Sequence, residues 1–333
     1  MVVIFLKDQI IIKLKSKRIN YNLEFNHRIN IIRGDSASGK SALIRLLDSQ
    51  KDSNIQIISN YKLIHLTPAF LQFVRESDNS FSNEYVYLID EIDIAGNRDM
   101  LELVSHSPYK FILMVRESNL NNLTYGIDQI YEIYRSGKYN ISRQMYNQDK
   151  INKYIKLKNI KTIMTEDSHS GYEFYKNLKN FNVISAGGNS NINGKIKINQ
   201  IVVVDSIGFG PYIDNYINIA YNKNSFLLSP KSFEWLILTS GLFRMGDDEL
   251  ENKYLNYLNL TQEKFYEATL KESCQNINIW YNKSKLNSYF LEDIQYNKII
   301  QRLEDLFQIN LLDLNSNLKS DSSINKSNNL LWE

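Results

Sequence analysis

Short apolar runs alternate with polar turns through the first half of the chain, a pattern typical of β-strands joined by tight connections. Strands are predicted at residues 2–6, 9–14, 21–25, 29–33, 55–59, 63–66, 85–89, 111–115, 129–135 and 139–146. Apolar residues at helical spacing follow several of them, at residues 43–47, 69–76 and 97–105. We therefore expect an α/β sheet with added β-hairpins in residues 1–148.

The second half begins with another α/β pattern and continues as helices. Strand 160–164, helix 171–178, strand 182–185 and strand 201–204 follow one another, which is the order of a small parallel sheet. Helical periodicity then marks residues 232–243, 248–258, 262–274 and 286–307. The expected domains are an α/β domain at 1–148, a basic linker at 149–158, a smaller α/β domain at 159–229, a helical region at 230–314 and a polar tail at 315–333.

Composition excludes few classes of function. The chain has 333 residues with 39 Lys and Arg against 37 Asp and Glu, so any surface for nucleic acid or membrane must be local. A single cysteine, Cys274, cannot form an internal disulfide, which favours a reducing compartment. No export or membrane-spanning segment is predicted, and a cytoplasmic location is the expectation.

An eight-residue segment after the strand at 29–33 matches the phosphate-binding pattern G-x-x-x-x-G-K-[ST]. Its residues are Gly34, Asp35, Ser36, Ala37, Ser38, Gly39, Lys40 and Ser41. The glycines let consecutive N–H groups point at phosphate oxygens at the positive end of the following helix. Lys40 is expected to bind the β- and γ-phosphates of ATP, and the Ser41 hydroxyl to bind Mg²⁺.

Two acids end the apolar run at 85–89. Asp90 is expected to support the Mg²⁺ ion through water, and Glu91 to orient the water that attacks the γ-phosphate. Arg116 ends the next buried run, at 111–115. It is a candidate γ-phosphate sensor, and the alternative is an ordinary surface arginine at a strand end.

These motifs resemble the ASCE branch of P-loop ATPases, nearest to the compact ABC-type and AAA-type ATPases of bacterial defence and mobile elements. The resemblance is carried by GDSASGKS, LIDE and FILMVRE within residues 1–148. It implies an ATP hydrolase. Transporter-type and SMC-type members carry a Ser-Gly-Gly signature before the acid pair, whereas residues 80–83 here read Ser-Phe-Ser-Asn.

Acids also follow the predicted strands of the second half. Glu166 and Asp167 follow the first strand, and Asp205 ends the third. Carboxyl ends of parallel strands meet at one edge, so these acids are expected to share a divalent ion. Ser170 and Glu173 have the spacing of a helix capping box.

This arrangement resembles a TOPRIM domain, the module joined to an ATPase in nucleases of the overcoming-lysogenisation-defect (OLD) family. The resemblance covers about residues 158–222 and implies Glu166 and Asp205 as metal ligands. Ile207 replaces the second aspartate of the family's Asp-x-Asp, and Asp167 replaces a usual glycine. The resemblance therefore implies a second divalent site and a nucleic-acid substrate, with a degenerate, non-catalytic domain as the favoured state.

Three functions remain open from the sequence. The first is an ATPase whose cycle controls a TOPRIM-like half acting on nucleic acid; the second is an ATP-dependent switch whose second half docks a protein partner or a second copy. The third, a small-molecule kinase, is disfavoured by the paired acids Asp90 and Glu91. Basic residues at Lys13, Lys15, Lys17 and Arg18 are interpreted as the solvated face of a strand pair in preference to a nucleic-acid patch.

Overall fold

The structure is a computed structural model. It describes residues 9–35, 38–49, 55–77, 80–116, 120, 123–156, 160–254, 257 and 260–311. The chain forms two compact units, Met1–Asn147 and Gln148–Glu333. The predicted strand at 2–6 and the tail at 315–333 lie outside the described residues.

Within the described residues, the first unit forms a nine-stranded mixed sheet, which agrees with the expected α/β class. Its strands are β1 (Ile10–Lys15), β2 (Asn20–Phe25), β3 (Ile29–Arg33), β4 (Gln56–Ser59), β5 (Lys62–His65), β6 (Tyr85–Asp90), β7 (Lys110–Val115), β8 (Ile130–Ser136) and β9 (Tyr139–Gln144). Their order in the sheet is β4-β1-β2-β9-β8-β3-β7-β6-β5. The helices are α1 (Lys40–Asp48), α2 (Pro68–Glu76), α3 (Glu91–Ile94) and α4 (Arg98–His106).

Strands β8, β3, β7, β6 and β5 are parallel neighbours, and β1–β2 and β8–β9 are antiparallel hairpins. Every residue of β3 and β7 is buried, as expected for parallel strands covered on both faces. The first hairpin was expected to form a small sheet leading into β3. Instead it joins the large sheet, because β2 pairs with β9.

The second unit contains a four-stranded, fully parallel sheet in the order β11-β10-β12-β13. Its strands are β10 (Thr162–Thr165), β11 (Asn182–Ser185), β12 (Gln200–Val203) and β13 (Ser225–Leu228). Its helices are α5 (Gln148–Asn152), α6 (Ser170–Tyr175), α7 (Asn189–Lys195), α8 (Ser206–Phe209), α9 (Ile213–Lys223), α10 (Phe233–Ile237), α11 (Asp247–Tyr254), α12 (Gln262–Gln275) and α13 (Asp293–Phe307). The sequence did not predict β13.

One hydrophobic core joins this sheet to the helices after residue 230. It includes Ile163 and Ile201 from the sheet, Trp235 from α10, Leu270 from α12 and Ile299 from α13. The predicted helix at 232–243 was wrong in its second half, because α10 ends at Ile237 and a wide turn, Leu238–Leu242, contains Gly241 at φ 80. The predicted helix at 286–307 begins only at Asp293, after a 3₁₀ turn at Ser288–Leu291.

None of the helices in the described ranges combines the length and the apolar character that crossing a membrane requires.

The segment predicted as a basic linker begins as a packed helix. Asn152, the last residue of α5, is buried beside strand β13. Its Oδ1 accepts a hydrogen bond from the Leu227 N–H at 2.9 Å, and its Nδ2 donates to the Leu227 carbonyl at 2.9 Å. The Gln148 amide donates to the same carbonyl. Helix α5 thus satisfies backbone groups on the outer edge of β13.

Replacing Asn152 by leucine is expected to destabilise the second unit by roughly 1 to 3 kcal/mol, because the buried Leu227 N–H loses this acceptor. Urea denaturation followed by circular dichroism measures the change. Asn222→Leu is the matched control, since Asn222 is exposed on α9. Equal stability of the two variants would contradict the role given to Asn152.

Candidate nucleotide site and carboxylate pocket

The phosphate-loop segment lies at the edge of the first sheet where three parallel strands end. β3 leads into Gly34, β7 leads into Arg116, and β6 ends at Asp90. β7 separates β3 from β6, so the loop and the acids stand about 10 Å apart, two strand spacings.

Two glycines shape the loop. Gly39 has φ 93, a left-handed conformation that favours glycine, and a Cβ there would lie 3.1 Å from the Tyr21 hydroxyl. A Cβ on Gly34 would lie 3.3 Å from the Ser38 side chain. Ser36 and Ala37, also predicted in the site, lie outside the described residues.

The buried side chain of Tyr21 supports the loop from β2. Its hydroxyl donates a hydrogen bond to the Gly39 carbonyl at 2.8 Å, and burial raises its pKa to about 12. The sequence analysis missed this residue, because an alternating strand offers no signal that one hydroxyl reaches a loop 18 residues later. Tyr21 fixes the loop immediately before helix α1.

Lys40, the first residue of α1, is buried with its ammonium group inside the loop. It donates to the Gly34 carbonyl, to Ser38 Oγ at 3.0 Å and to the Asp35 carbonyl at 3.3 Å. Burial lowers the pKa of Lys40, whereas the carboxylate of Glu91 raises it. The loop lysine therefore interacts electrostatically with Glu91, the first residue of α3.

The paired acids occupy the start of helix α3. Asp90 Oδ1 accepts the Glu91 N–H at 2.9 Å. Glu91 Oε2 lies 3.5 Å from Arg116 Nε, and the Arg116 side chain is 63% exposed. The structure thus brings Arg116 beside Glu91, and its role as a phosphate sensor stays a prediction. The predicted Mg²⁺ ligand Ser41 is exposed in the first turn of α1.

A basic cavity of about 410 Å³ adjoins α1. The turn between β1 and β2 contributes Lys17, Arg18 and Ile19, and α1 contributes Arg45 and Leu46. Arg45 Nε also donates to the Ser41 carbonyl at 3.1 Å, which links the cavity wall to the loop. The cations Lys17 and Arg18 are visible in the sequence, but no sequence signal indicated that they would face α1.

A histidine connects helix α1 to helix α3. His65, at the end of β5, contacts both Asp48 oxygens at 3.2 Å through Nδ1 and Asp93 Oδ2 at 3.2 Å through Nε2. Asp48 is the last residue of α1, and Asp93 lies two residues after Glu91. This chain of contacts ties the loop helix to the acid helix, and no motif predicted it.

The second unit brings its predicted acids together at the carboxyl edge of its sheet. Glu166 follows β10, and Asp205 lies two residues after β12, in a cavity of about 280 Å³. Glu166 Oε2 accepts the Asp205 N–H at 2.9 Å, and Asp205 Oδ1 accepts the Phe233 N–H at 3.1 Å. Both carboxylates therefore serve as backbone acceptors.

Burial dominates the ionisation of these two acids. It raises the pKa of Glu166 to about 7, and the nearby Asp167 and Glu263 carboxylates add to the shift. Burial also raises the pKa of Asp205 well above its ordinary value, with Glu166 and Glu234 adding to the shift and Lys283 opposing it. The environment of the pocket thus favours the protonated forms of Glu166 and Asp205.

Three pocket residues were missed by the sequence analysis, because each comes from an element distant in sequence. Glu234 of α10 is buried; its Oε1 accepts from the Tyr281 hydroxyl at 2.7 Å, and its Oε2 has no hydrogen-bond partner within the described residues. Glu263 of α12 forms an ion pair with Lys283. Burial disfavours the charged form of Lys283, but nearby carboxylates, above all Glu263, raise its pKa.

The predicted capping box at the start of α6 was wrong. Asp167 caps this helix, because its carboxylate accepts the Gly171 N–H at 3.2 Å and the Tyr172 N–H at 3.0 Å. Glu173 turns away and accepts the Leu286 N–H at 2.6 Å, and Ser170 Oγ lies 3.5 Å from the Tyr281 hydroxyl. Asp167 thus takes the capping role that the spacing had predicted for Ser170 and Glu173.

The donor set of the pocket does not fit a firmly held metal ion. Across the ranges given above, no three His, Cys, Asp or Glu side chains form a group that could hold one. Glu166 and Asp205 each bind a backbone N–H, and Ile207 packs against the hydrophobic core. The shared divalent ion therefore stays a prediction from the resemblance.

Glu166→Gln is expected to stabilise the protein by about 1 to 3 kcal/mol at pH 8. The folded-state pKa of Glu166 is raised from 4.5 to about 7, so its contribution is complete below pH 4.5 and is lost as the pH rises through about 7. Glutamine keeps an acceptor for the Asp205 N–H without ever ionising. Urea denaturation at pH 5 and pH 8 tests this.

The gain should be much smaller at pH 5, where the carboxyl of the folded protein is largely protonated and resembles the neutral glutamine. Glu249→Gln, at an exposed position of α11, is the matched control and should change neither value. A pH-independent effect of Glu166→Gln would contradict the raised pKa.

Comparison with known proteins gives no assignment. No protein-family model matches this chain, and no curated protein matches it. Any conclusion about function therefore rests on the motifs and on the geometry of the two sites.

Proposed function

We propose that the first unit binds Mg-ATP and hydrolyses it. The observation that carries the proposal is the placement of Lys40: its ammonium group lies inside a glycine-shaped loop and interacts electrostatically with Glu91 across one sheet edge. Burial of this amine inside a ring of oxygen acceptors leaves it preorganised for a phosphate, whose oxygens replace the Gly34 carbonyl as its partners.

Each predicted residue has a definite role in this proposal. The loop N–H groups and Lys40 bind the phosphates. Mg²⁺, held by Ser41 and by Asp90 through water, would neutralise charge on the β- and γ-phosphates. Glu91 orients the attacking water, and Arg116, 3.5 Å from Glu91, is placed to contact the γ-phosphate. The loose transition state leaves the protein mainly positioning and electrostatic work.

The nucleoside fits the basic cavity beside α1. Its volume of about 410 Å³ accommodates a base and a ribose, Ile19 and Leu46 offer apolar contact, and Arg18 and Arg45 offer guanidinium planes for stacking. Ala42, which lines the cavity, directly follows Ser41, the last residue of the loop pattern. This continuity supports a nucleotide over an isolated phosphate ion as the ligand.

For the second unit we propose a TOPRIM-like domain that is controlled by the nucleotide cycle and does not cleave nucleic acid. The packing of Ile207 against the hydrophobic core and the backbone hydrogen bonds accepted by Glu166 and Asp205 support the non-catalytic state. The competing proposal, an active nuclease, is favoured by one observation: the unpartnered Oε2 of Glu234 lies in the same pocket as those acids.

Lys40→Ala is expected to abolish ATP binding, because it removes the buried cation from the loop. Glu91→Gln should bind ATP as the parent does and lower the turnover rate by roughly 10² to 10⁴, the usual contribution of a general base. Binding of a fluorescent ATP analogue and release of inorganic phosphate measure the two steps.

Glu102→Gln is the matched control for Glu91→Gln, since Glu102 is exposed on α4. It should leave both measurements unchanged. Normal turnover in Glu91→Gln would exclude Glu91 as the residue that orients water.

Supercoiled plasmid and a structured RNA, incubated with the protein in Mn²⁺ or Mg²⁺ with and without ATP, test the second unit. We expect no cleavage and an identical result for Glu166→Ala, because the pocket lacks a three-ligand metal group in the described residues. Nicking that disappears in Glu166→Ala would establish the competing nuclease.

A further inference from the structure

Two hairpins of the first unit lie side by side and expose one continuous sheet face. β2 pairs with β9 in parallel, which joins the β1–β2 hairpin to the β8–β9 hairpin. Alternate residues of β1 and β2, such as Ile12 and Leu23, pack into the hydrophobic core that contains Leu43 of α1. The residues between them point to the opposite face, because side chains alternate along a strand.

The register identifies the residues of this open face. Lys13 pairs with Asn22, Lys15 pairs with Asn20, and Asn20 pairs with Tyr139. One row therefore crosses three strands as Lys15, Asn20 and Tyr139, and it continues to β8 through the pairing of Tyr139 with Ser136. Neighbours in such a row stand about 5 Å apart.

The charge of the two hairpins departs sharply from that of the whole chain. Residues 10–25 and 130–144 carry seven Lys and Arg but two Glu, whereas the chain has 39 basic and 37 acidic side chains. Of the two acids, Glu132 is paired with Arg143 at 2.8 Å. The turns at 16–19 and 137–138 stand at the same end of the sheet, since Asn20 Nδ2 lies 3.4 Å from the Lys138 carbonyl. Lys17 and Arg18 line the cavity beside α1, and Arg135 alternates with Tyr134, so the cations left for the open face are Lys13, Lys15, Lys138 and Arg143.

Exposed aromatic rings lie among these cations. Tyr134 is 45% exposed and Tyr139 is 41% exposed. They are diagonal neighbours on β8 and β9, about 7 to 8 Å apart. The Arg143 guanidinium stacks on the Tyr134 ring, 4.1 Å from its centre, and extends the flat surface.

We propose that this face, defined by Lys13, Lys15, Tyr134, Lys138, Tyr139 and Arg143, binds single-stranded nucleic acid. The cations match the phosphate backbone, and the tyrosines and the stacked guanidinium match unpaired bases. A duplex hides its bases from such rings, and an acidic protein or an anionic membrane gives them no stacking partner. Single-stranded nucleic acid would then be the partner of the proposed ATPase. Only this biological role rests on the proposed function, because binding of the strand itself needs no nucleotide.

The test is fluorescence anisotropy of a labelled 20-nucleotide poly(dT) with the full-length protein, without nucleotide, from 50 to 200 mM KCl. Binding should weaken steeply with salt. Tyr134→Ala with Tyr139→Ala should weaken it on the order of tenfold or more at fixed salt, because base stacking is lost. Lys15→Glu with Lys138→Glu should weaken it and reduce the salt slope by roughly 0.7 per lost phosphate contact.

Matched controls come from the second unit. Tyr221→Ala removes a tyrosine that is 65% exposed, and Lys179→Glu with Lys197→Glu makes the same charge change at exposed lysines. These variants should bind as the parent does. Equal loss in test and control variants, or no binding of poly(dT), would overturn the proposal.

Heparin, a duplex of equal length and vesicles containing phosphatidylserine identify the competing occupants. The single-strand assignment would be overturned if the tyrosine variants bound poly(dT) normally and if heparin, the duplex or the vesicles bound as tightly as poly(dT). That result would show a surface for polyanions in general. Lys40→Ala separates this inference from the ATPase: it should bind poly(dT) normally even where no ATP is bound. ATP turnover without poly(dT) binding would leave the ATPase proposal intact and remove this one.

Discussion

Parallel pairing of β3, β7 and β6 is the constraint on which the rest of the first unit depends. Registered hydrogen bonds between these strands fix where each of them ends, and the three following segments therefore leave the sheet at one edge. Every residue of β3 and β7 is buried, so a register shift between these strands would be costly. It would also move polar groups such as Lys40 and Glu91 away from the edge that they share. The site is a consequence of sheet topology more than of any single side chain.

The central strands of this unit could be predicted because their signals are local. Apolar runs at 29–33 and 111–115 and the pattern around Lys40 need no distant residue to be recognised, and the structure confirms the strands there. Tyr21 could not be predicted, because its hydrogen bond to Gly39 depends on the pairing of a hairpin with a loop. His65 was missed for the same reason: its two aspartate partners lie 17 and 28 residues away.

The second unit shows where sequence reasoning about chemistry is weakest. Spacing predicted that Glu166 and Asp205 would meet, and they do. Spacing could not predict that backbone N–H groups would donate hydrogen bonds to the oxygens of these two acids. Nor could it predict that Glu234, Glu263 and Lys283 would line the same pocket. Carboxylates gathered in a buried pocket change each other's ionisation, so their chemistry depends on neighbours that only the fold supplies.

Strand β2 has the proposed nucleotide site on one side of its backbone and the basic sheet face on the other. Tyr21 points to one side and holds the Gly39 carbonyl, while Asn20 and Asn22 point to the other side between the lysines of β1 and the residues of β9. Lys40 donates a hydrogen bond to the Gly34 carbonyl, in the same loop that Tyr21 supports. Because β2 is hydrogen-bonded on both edges, its backbone cannot shift without β1 and β9. A displacement of β2 would therefore have to carry β9 and the lysines of β1 with it.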